Sequence, residues 1–382
     1  MALDPETFRL LRETVARFVT ERLIPREAEV VETDAVPADV VDEMKALGLF
    51  GLSISPEYGG LGLTMSEEVQ VVFELGRASP AFRSVAGTNI GIGSQSIVMA
   101  GTEEQKAKYL PALASGELIG SFALTEPDAG SDAMALRTSA RRDGDHYVLS
   151  GTKRYITNAP SAGLFSVMAR TGPERKADAI SCFLVEAGTA GLRVGTPDKK
   201  MGQRGALTCD VVFEDCRVPA SALLGGMEGN GFRTAMKVLD KGRLHIAALC
   251  VGIAERLIRE SVLYARDRRQ FGQPIAEFQL IQAMLADSEA DTYAARCMIL
   301  DAARLRDEGA NTTRQAACAK MFASEMVGRV ADRAVQIFGG AGYMADYPVE
   351  RFYRDVRLFR IFEGTTQIQQ LVIARDLLKS IA

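Results

Sequence analysis

The chain has 382 residues, of which 47% are apolar and 25% charged, with a formal net charge of −4. This length allows two or three domains, and the composition is that of an ordinary soluble globular protein. The slight negative charge disfavours a nucleic-acid-binding surface, which needs basic side chains to neutralise phosphates. The longest apolar run, residues 246–254, is too short to cross a bilayer, so no membrane attachment is predicted.

Residues 1–118 are predicted to form a helical domain. Asp4 can cap a helix, Pro5 suits the first helical position and Glu6 suits the first turn. Apolar residues then follow at helical spacing, and the Pro- and Gly-rich residues 53–63 predict a loop. Further helices are predicted at residues 68–76, 88–100 and 103–114.

The N-terminal segment also bears on location. Residues 1–18 interleave acidic and basic with apolar side chains. They therefore lack the apolar centre of a signal peptide and the acid-poor composition of a transit peptide, and a cytoplasmic location is predicted.

Residues 119–220 show a different pattern and predict a β domain. Short runs rich in β-branched and aromatic residues occur at 147–149, 164–168, 180–185 and 209–213, separated by turn clusters such as residues 142–145. No helix-length segment lies between these runs, which excludes a βαβ sheet. A small antiparallel barrel or sandwich is predicted instead.

Residues 221–382 are predicted to form a four-helix bundle. Apolar residues recur three and four apart over long segments, as the helices of such a bundle require. The predicted fold class is therefore α+β, mainly α. The predicted helices cover residues 232–266, 278–308, 313–338 and 367–381.

The cysteines and histidines do not predict a metal site. The six cysteines form no CxxC pair and have no metal-ligand spacing with His146 or His245, so they are interpreted as reduced, mostly buried thiols. His245 lies on an apolar helical stretch and is interpreted as a core residue with satisfied hydrogen bonds.

One carboxylate near the C-terminus is a candidate base. Glu363 lies between Phe362 and Gly364, just before an amphipathic helical segment. Partial desolvation by Ile361 and Phe362 would raise its pKa toward the range useful for proton transfer. From the pattern alone, Glu363 is better interpreted as a first-turn helix residue favoured by the helix dipole.

Two separated motifs resemble the acyl-CoA dehydrogenase family. Residues 336–355 contain a glutamine, a Gly-Gly-x-Gly turn and spaced charged residues that match the C-terminal signature of that family, and residues 362–369 resemble its segment with the catalytic glutamate. The upstream motif ALTEPDAGSDAMA, residues 123–135, matches a second signature. The similarity extends from about Phe8 to the C-terminus. It implies helical, β and bundle domains in that order, with Glu363 as the base.

The resemblance also implies that FAD lies between the β domain and the bundle. Small hydroxyls and backbone N–H groups suit the polar edge of a flavin, and an aromatic ring can shield one face. Without the resemblance, Thr157-Asn158 would be interpreted as an ordinary strand-end turn. The matching residues are Phe122, Leu124, Thr125, Ser131, Tyr155, Ile156 and Thr157, with Thr365 and Gln367 beside the base.

Two features of the sequence bear on how it would bind a dinucleotide. It lacks the GxGxxG spacing and the βαβ unit of a Rossmann dehydrogenase. Tyr155 stands where the family usually has tryptophan, and the chain contains no tryptophan. Flavin binding is still expected, and the sequence leaves the geometry of flavin stacking open.

A further set of matches implies contacts across a subunit interface. Arg268, Gln270 and Phe271 resemble a family segment that reaches the FAD pyrophosphate of a neighbouring subunit, and Gln336, Gly339 and Gly340 would complete the adenine end. The planar donors of arginine suit a pyrophosphate. Arg268 could equally stabilise the C-terminal dipole of its own helix. The family assembly implied by the resemblance is a homotetramer.

The resemblance implies α,β-dehydrogenation of an acyl-CoA, with electrons passing to an electron-transfer flavoprotein. Some family members carry the base at the position of Gly242, which has no side chain here. Asp240 and Arg243 match positions near the thioester, although they could also be a solvated helix pair. Other implied substrate contacts are Ser131, Phe362, which replaces the usual tyrosine, and Gly364.

The closest resemblance is to the short-chain and related bacterial branch of the family, and it rests on residues 201–219 and 238–247. Two alternatives stay open. One is a flavin oxidase or monooxygenase of the same fold. The family's oxidases are usually longer chains, and its monooxygenases generally lack the glutamate base. The other is a non-catalytic FAD-binding scaffold.

Overall fold

Helices occupy the first part of the chain in the computed structural model, which describes residues 2–380. Asp4 caps the first helix by accepting from the backbone N–H of Thr7, as the sequence predicts. Thr64 and Glu67 form a reciprocal capping box that starts the fourth. These helices are α1 (Pro5–Phe18), α2 (Glu27–Thr33), α3 (Ala38–Ala46), α4 (Met65–Leu75), α5 (Pro80–Thr88), α6 (Gln95–Ala100) and α7 (Glu103–Ser115).

The segment predicted as one helix over 88–100 is divided differently. Helix α5 begins earlier, because Ser79 caps it and Pro80 occupies its first turn. A π-helical turn, Asn89–Gly93, separates α5 from α6. The buried side chain of Asn89 donates to the carbonyl of Leu113 (2.9 Å) and accepts from the N–H of Gly120 (2.8 Å). This turn therefore fixes α5 to the start of the β domain.

The β domain contains the four predicted runs and additional strands. Its strand order is β1-β4-β2-β3-β7-β6, with β5 also paired to β4. The sequence predicted an antiparallel sheet, but β1 and β4 run parallel. The strands are β1 (Gly120–Ala123), β2 (Ser139–Asp143), β3 (His146–Thr157), β4 (Leu164–Arg170), β5 (Ile180–Glu186), β6 (Leu192–Val194) and β7 (Thr208–Pro219).

The remaining helices begin and end close to the predicted bounds. Helices α8, α9 and α10 pack around a core that also includes residues of α4 and α11. A short hairpin, β8 (Arg269–Gln270) and β9 (Gln273–Pro274), separates the first two bundle helices. The helices are α8 (Gly231–Asp267), α9 (Gln279–Asp307), α10 (Thr313–Phe338), α11 (Pro348–Val356) and α12 (Thr366–Ser380).

Buried ionic contacts connect α11 to the other parts of the molecule. Arg351 donates to Glu27 of α2 at 2.6 Å. The carboxylate of Asp355 accepts from the backbone N–H of Gln203, and the side chain of Gln203 donates to the carbonyl of Asp355 at 3.1 Å. Helix α11 thus joins the N-terminal helices, the β domain and the bundle. No helix within residues 2–380 is long and apolar enough to cross a membrane.

Candidate active site

Glu363 lies in a strained turn before α12. Its φ is +51° and that of Gly364 is +88°, a left-handed conformation that is unfavourable for glutamate. Because α12 begins at Thr366, the interpretation of Glu363 as a first-turn helix residue is wrong. Lys320 donates to the carbonyl of Gly364 at 2.7 Å, and Gln369 donates to the carbonyls of Glu363 and Gly364 at 3.1 and 3.0 Å. These bonds hold the turn in place.

The carboxylate of Glu363 points at helix α8. A Cβ atom on Gly242 would lie 2.2 Å from Oε2 of Glu363, so the missing side chain of Gly242 makes room for it. Oε2 is buried and has no hydrogen-bond partner among the described residues. An acceptor held out of water without a donor is available for a proton from another molecule.

Three cations from three elements surround this carboxylate. Burial raises the pKa of Glu363, and the charges of Arg83, Lys320 and Arg243 oppose that rise. Burial also lowers the pKa of Lys320 to about 8, although Glu363 opposes this shift. The raised pKa makes the carboxylate of Glu363 a stronger base, and the three cations limit that rise.

The sequence did not identify Arg83 or Lys320 as site residues. Arg83 lies on α5 and is only 6% exposed, and Lys320 lies on α10 and is fully buried. Each is an isolated cation in a run of small and apolar residues, AFRSVAG and AACAKMFA. Buried charges are rare unless they are paired, so this pattern could have indicated them.

The pair Asp240 and Arg243 is not solvated. Arg243 is 5% exposed and donates to Asp240 at 2.5 Å, and the second oxygen of Asp240 accepts from Thr313 at 2.8 Å. Asp240 therefore orients Arg243 near Glu363. The alternative of a solvated helix pair is therefore wrong.

The predicted flavin contacts on β1 and β3 are brought together. The hydroxyl of Ser121 donates to the carbonyl of Thr157 at 2.8 Å, and the N–H of Arg154 donates to the carbonyl of Thr125 at 2.8 Å. Phe122, Leu124 and Ile156 are buried beneath them.

Tyr155 protrudes from this junction. It lies in a bulge of β3 with φ +59°, and its side chain is 61% exposed. The guanidinium of Arg154 lies 4.8 Å from the centre of the Tyr155 ring. The aromatic ring therefore extends from the β domain beside Thr125.

Helix α5 connects the end of β3 to the candidate base. The side chain of Asn158 donates to the carbonyls of Ser84 (3.3 Å) and Val85 (3.1 Å). These residues directly follow Arg83, whose charge faces Glu363. Helix α5 thus contacts the end of β3 and also carries a cation that acts on Glu363.

A second group of predicted FAD contacts lies at the far end of the bundle. Arg268, Gln270 and Phe271 are exposed in the β8–β9 hairpin, and Phe271 is 94% exposed. Gln336, Gly339 and Gly340 are also exposed and end α10. The two segments meet because Tyr264 stacks on Phe338 with ring centres 4.0 Å apart. At helical rise, Arg268 lies about 39 Å from Gly242 along α8.

The remaining predicted contacts have varied surroundings. Ser131 and Gln367 are exposed. Phe362 packs against Phe359 with ring centres 5.6 Å apart. Thr365 accepts from the N–H of Ile368 at 3.2 Å and so caps α12, a structural role that the sequence did not predict for it.

Comparison with known proteins identifies the family. The family models for the N-terminal, middle and C-terminal domains of acyl-CoA dehydrogenase match residues 5–117, 121–216 and 229–378. The chain belongs to the acyl-CoA dehydrogenase family. The predicted family and fold are confirmed, and the chain is an FAD-binding oxidoreductase that acts on the CH–CH group of an acyl-CoA.

Similar proteins match nearly the whole length of this chain. Probable acyl-CoA dehydrogenase YngJ of Bacillus subtilis is 44% identical over 97% of both chains. Acryloyl-CoA reductase (NADH) of Anaerotignum propionicum is 43% identical over 97% of this chain and 94% of the relative.

Solved structures give the same result. Butyryl-CoA dehydrogenase of Megasphaera elsdenii matches with TM-score 0.95 and 36% identity over 99% of both chains. A chain in a structure described as the electron-transferring flavoprotein of Acidaminococcus fermentans matches with TM-score 0.95 and 40% identity, over 99% of this chain and 100% of the other.

The surface at the β1–β3 junction suits a flavin. Apolar Phe122 and Leu124 lie next to the hydroxyl-bearing residues Thr125 and Thr157, and Tyr155 offers an exposed ring. This combination of an aromatic face with small polar groups fits an isoalloxazine ring. No group of three or more potential metal ligands occurs in the described part of the chain.

Proposed function

We propose that Glu363 removes the α-proton of an acyl-CoA thioester as the β-hydrogen leaves as hydride, which gives the trans-2-enoyl-CoA. FAD, when bound, accepts that hydride at N5. The observation that carries the proposal is the carboxylate of Glu363, buried against Gly242 without a hydrogen-bond partner among the described residues. A base in this position can approach a substrate carbon without first losing a hydrogen bond.

The surroundings of Glu363 support proton abstraction. An α-proton of a free thioester is too weakly acidic for a carboxylate in water. Burial raises the pKa of Glu363, while Arg83, Lys320 and Arg243 oppose that rise. A raised pKa makes the carboxylate a stronger base, and the three cations favour its ionised form; both effects suit general-base catalysis.

The same turn supplies a donor for the thioester oxygen. The backbone N–H of Glu363 donates to no acceptor in the part of the chain that the structure describes. We propose that it binds the oxygen that becomes enolate-like as the proton leaves. One such donor contributes about 3 kcal/mol of transition-state stabilisation in comparable oxyanion sites. Ser131, Asp240, Arg243, Phe362 and Gly364 are the proposed further contacts to the acyl-CoA.

The residues that would hold FAD form two groups. Phe122, Leu124, Thr125, Ser131, Tyr155, Ile156 and Thr157, with Thr365 and Gln367, would bind the flavin end beside Glu363. The group around Arg268 and Gln336 is about 39 Å away along α8. We therefore propose that this second group binds the pyrophosphate and adenine of FAD in a neighbouring subunit. No carboxylate among the described residues lies within 4 Å of Arg268. This supports the proposed role, because the guanidinium is then available for a pyrophosphate.

A second copy of the chain would also cover exposed apolar side chains. Phe271 and Leu280 are 94% and 81% exposed at the end that carries Arg268. Single subunits rarely expose such side chains close together. These observations support the proposed homotetramer.

We propose an electron-transfer flavoprotein as the acceptor. The exposed ring of Tyr155 lies among the proposed flavin contacts, so this side of the cofactor site is accessible to a protein partner. The related chain seen in the structure from Acidaminococcus fermentans supports this choice.

Replacement of Glu363 by glutamine tests the proposed base. Glutamine is nearly isosteric, so FAD content and thermal stability are expected to be unchanged. Anaerobic flavin bleaching by a panel of acyl-CoAs should slow by at least about a thousandfold. A near-normal rate with any acyl-CoA would refute the assignment. Rapid reoxidation of the substrate-reduced flavin in air would instead indicate an oxidase.

The opposite direction is a second candidate. The relative that is 43% identical is an acryloyl-CoA reductase, and the same geometry lets protonated Glu363 return its proton to the α-carbon. In that case an enoyl-CoA would accept hydride from dithionite-reduced enzyme and restore the oxidised flavin spectrum. For one acyl-CoA and its enoyl-CoA, the rate of flavin reduction is to be compared with the rate of flavin reoxidation. The ratio of these two rates distinguishes the directions.

A further inference from the structure

A buried polar cluster lies behind the candidate base. It consists of Glu68 on α4, Arg83 on α5, and Lys241 and His245 on α8, and none of these residues is more than 6% exposed. Glu68 Oε2 lies 3.0 Å from Nζ of Lys241, and its Oε1 lies 2.8 Å from Nε2 of His245. Nδ1 of His245 lies 3.2 Å from Nη2 of Arg83. The cluster therefore connects three helices through one histidine.

The chemistry of arginine fixes the state of that histidine. A guanidinium can only donate hydrogen bonds, so Nδ1 of His245 must be the acceptor. The remaining proton of a neutral imidazole is then on Nε2, beside the carboxylate of Glu68. Burial lowers the pKa of His245, although Glu68 opposes this shift, and the imidazole stays neutral at pH 7.

The arrangement leaves one uncompensated positive charge toward Glu363. Lys241 neutralises Glu68 at 3.0 Å, and His245 is neutral. Arg83 has no carboxylate within 4 Å among the described residues, and its charge acts on Glu363. Nε of Arg83 is buried and has no hydrogen-bond partner in the same region.

Glycines confine the path of the Arg83 side chain. A Cβ atom on Gly87 would lie 2.3 Å from Nε of Arg83, and one on Gly91 would lie 3.5 Å from Nη2. The side chain therefore runs along α5, over both glycines, to reach His245. It depends on His245 for the hydrogen bond to its terminal nitrogen.

We propose that Glu68 and His245 are positioning residues, which hold Arg83 so that its charge keeps the carboxylate of Glu363 ionised inside the buried site. This inference rests on the proposed role of Glu363 as base. Arg83 fixes the tautomer of His245, Glu68 Oε1 lies beside Nε2 of that ring, His245 holds the guanidinium, and the guanidinium acts on the base without touching the substrate.

The charged groups that face Glu363 come from three elements: Arg83 from α5, Arg243 from α8 and Lys320 from α10. Glu68 and Lys241 face His245 from α4 and α8. Of the three cations at the base, Arg243 is neutralised by Asp240, and Lys320 is engaged with the carbonyl of Gly364. Arg83 is the cation whose position depends on a histidine.

Paired variants test this role through the pH profile of anaerobic flavin bleaching. His245→Leu removes the acceptor for Arg83, whereas His245→Asn retains an oxygen near the position of Nδ1. Arg83→Gln removes the charge, and Arg83→Lys retains it. His146→Asn is the control, since His146 is the other histidine of the chain and lies on the β2–β3 hairpin.

The acid limb of the profile should move up by about one pH unit in His245→Leu and Arg83→Gln, with much of the rate recovered at high pH. His245→Asn and Arg83→Lys should shift less, and His146→Asn not at all. An unchanged acid limb in folded, FAD-containing His245→Leu would overturn the proposal. An equal loss of rate at every pH would do the same, because it would indicate a merely structural role.

The tautomer gives a second readout that does not depend on activity. With only two histidines in the chain, solid-state 15N NMR of histidine-labelled protein shows two imidazoles, and His146→Asn assigns them. We expect His245 to carry its proton on Nε2 and to remain neutral from pH 7 to 8. A proton on Nδ1, or titration within that range, would contradict the arrangement. Full activity of Glu363→Gln would refute the base itself, a result distinct from either failure.

Discussion

Gly242 on helix α8 and Glu363 in the turn before α12 are close neighbours. A Cβ atom on Gly242 would lie 2.2 Å from Oε2 of Glu363 and 3.0 Å from its carboxyl carbon. Real Cβ atoms do not approach so closely, so any side chain at 242 must displace the carboxylate. The identity of residue 242 therefore controls where the candidate base can lie.

Gly242→Ala should lower activity while the fold is kept. The obstructing atom is the end of a flexible side chain, which can rotate away. We expect a loss in bleaching rate of roughly a hundredfold, as for a placement error near 1 Å, with little change in Tm. Stopped-flow bleaching and a thermal melt measure the two effects.

Gly252→Ala is the matched control for that variant. It lies on the same helix, and its added Cβ would also lie 2.2 Å from an oxygen, but this one is the backbone carbonyl of Phe73. Because the backbone cannot rotate away, the expected result is a large fall in Tm. If the two variants lost stability equally, Gly242 would be a packing residue and not a neighbour of a movable carboxylate.

Long periodic segments explain why most of the fold could be predicted. The apolar spacing in the bundle predicted α10 at its observed bounds, residues 313–338, because an amphipathic stretch has one way to bury its face. Strand β1, Gly120–Ala123, was missed since four buried residues without alternation have no distinctive period. Its parallel pairing with β4 depends on contacts far apart in the chain.

The candidate site was only partly predictable, because it too depends on contacts between elements that are far apart in the chain. Glu363 and Gly242 could be singled out through family motifs. Arg83 and Lys320 are single cations within apolar helices, and their importance depends on three helices meeting at one point. Spacing along one helix cannot show such a meeting.

The pH dependence of stability should contain a contribution from Asp355. Burial raises its pKa to about 6, although the N–H of Gln203 and the nearby arginines oppose the rise. A carboxyl group with a raised folded-state pKa stabilises the fold below its unfolded pKa, and this contribution is lost as pH rises through the folded pKa. Asp355 should therefore cost stability progressively between about pH 4 and pH 6.

Asp355→Asn removes this titration and keeps an oxygen that can accept from Gln203. The difference in free energy of unfolding between the variant and the parent should change by up to about 3 kcal/mol between pH 4 and pH 7, in favour of the variant at pH 7. Denaturant melts at several pH values measure it. A constant difference across this range would show that Asp355 does not titrate there.

Arg268→Ala should weaken FAD retention and lower Tm together, because a cofactor that binds the folded state stabilises it by mass action. If Arg268 reaches a neighbouring subunit, the oligomer should also dissociate more readily. Flavin content after dialysis, thermal melts and sedimentation measure these effects. Arg269→Ala is the control, since Arg269 is equally exposed in the same hairpin. Equal loss of flavin in both variants would indicate a general charge effect.

The last prediction moves the base from one element to the other. Glu363→Gly should abolish bleaching and leave the fold intact, because φ +51° is unfavourable for glutamate but not for glycine. The double variant Gly242→Glu/Glu363→Gly should then recover part of the activity, since Gly242 faces the space that the native carboxylate occupies.

Recovery should be incomplete for a geometric reason. The native Oε2 would lie only 2.2 Å from a Cβ atom at position 242, whereas the carboxylate oxygens of a new glutamate lie three bonds beyond Cβ. The side chain must fold back or extend past the native position, and a shift near 1 Å costs about a hundredfold in rate. It also occupies space beside α8, so the double variant should favour a different acyl length. Both variants are to be assayed with the acyl-CoA panel in FAD-containing protein. If no substrate restores bleaching, Gly242 does not face the reacting carbon.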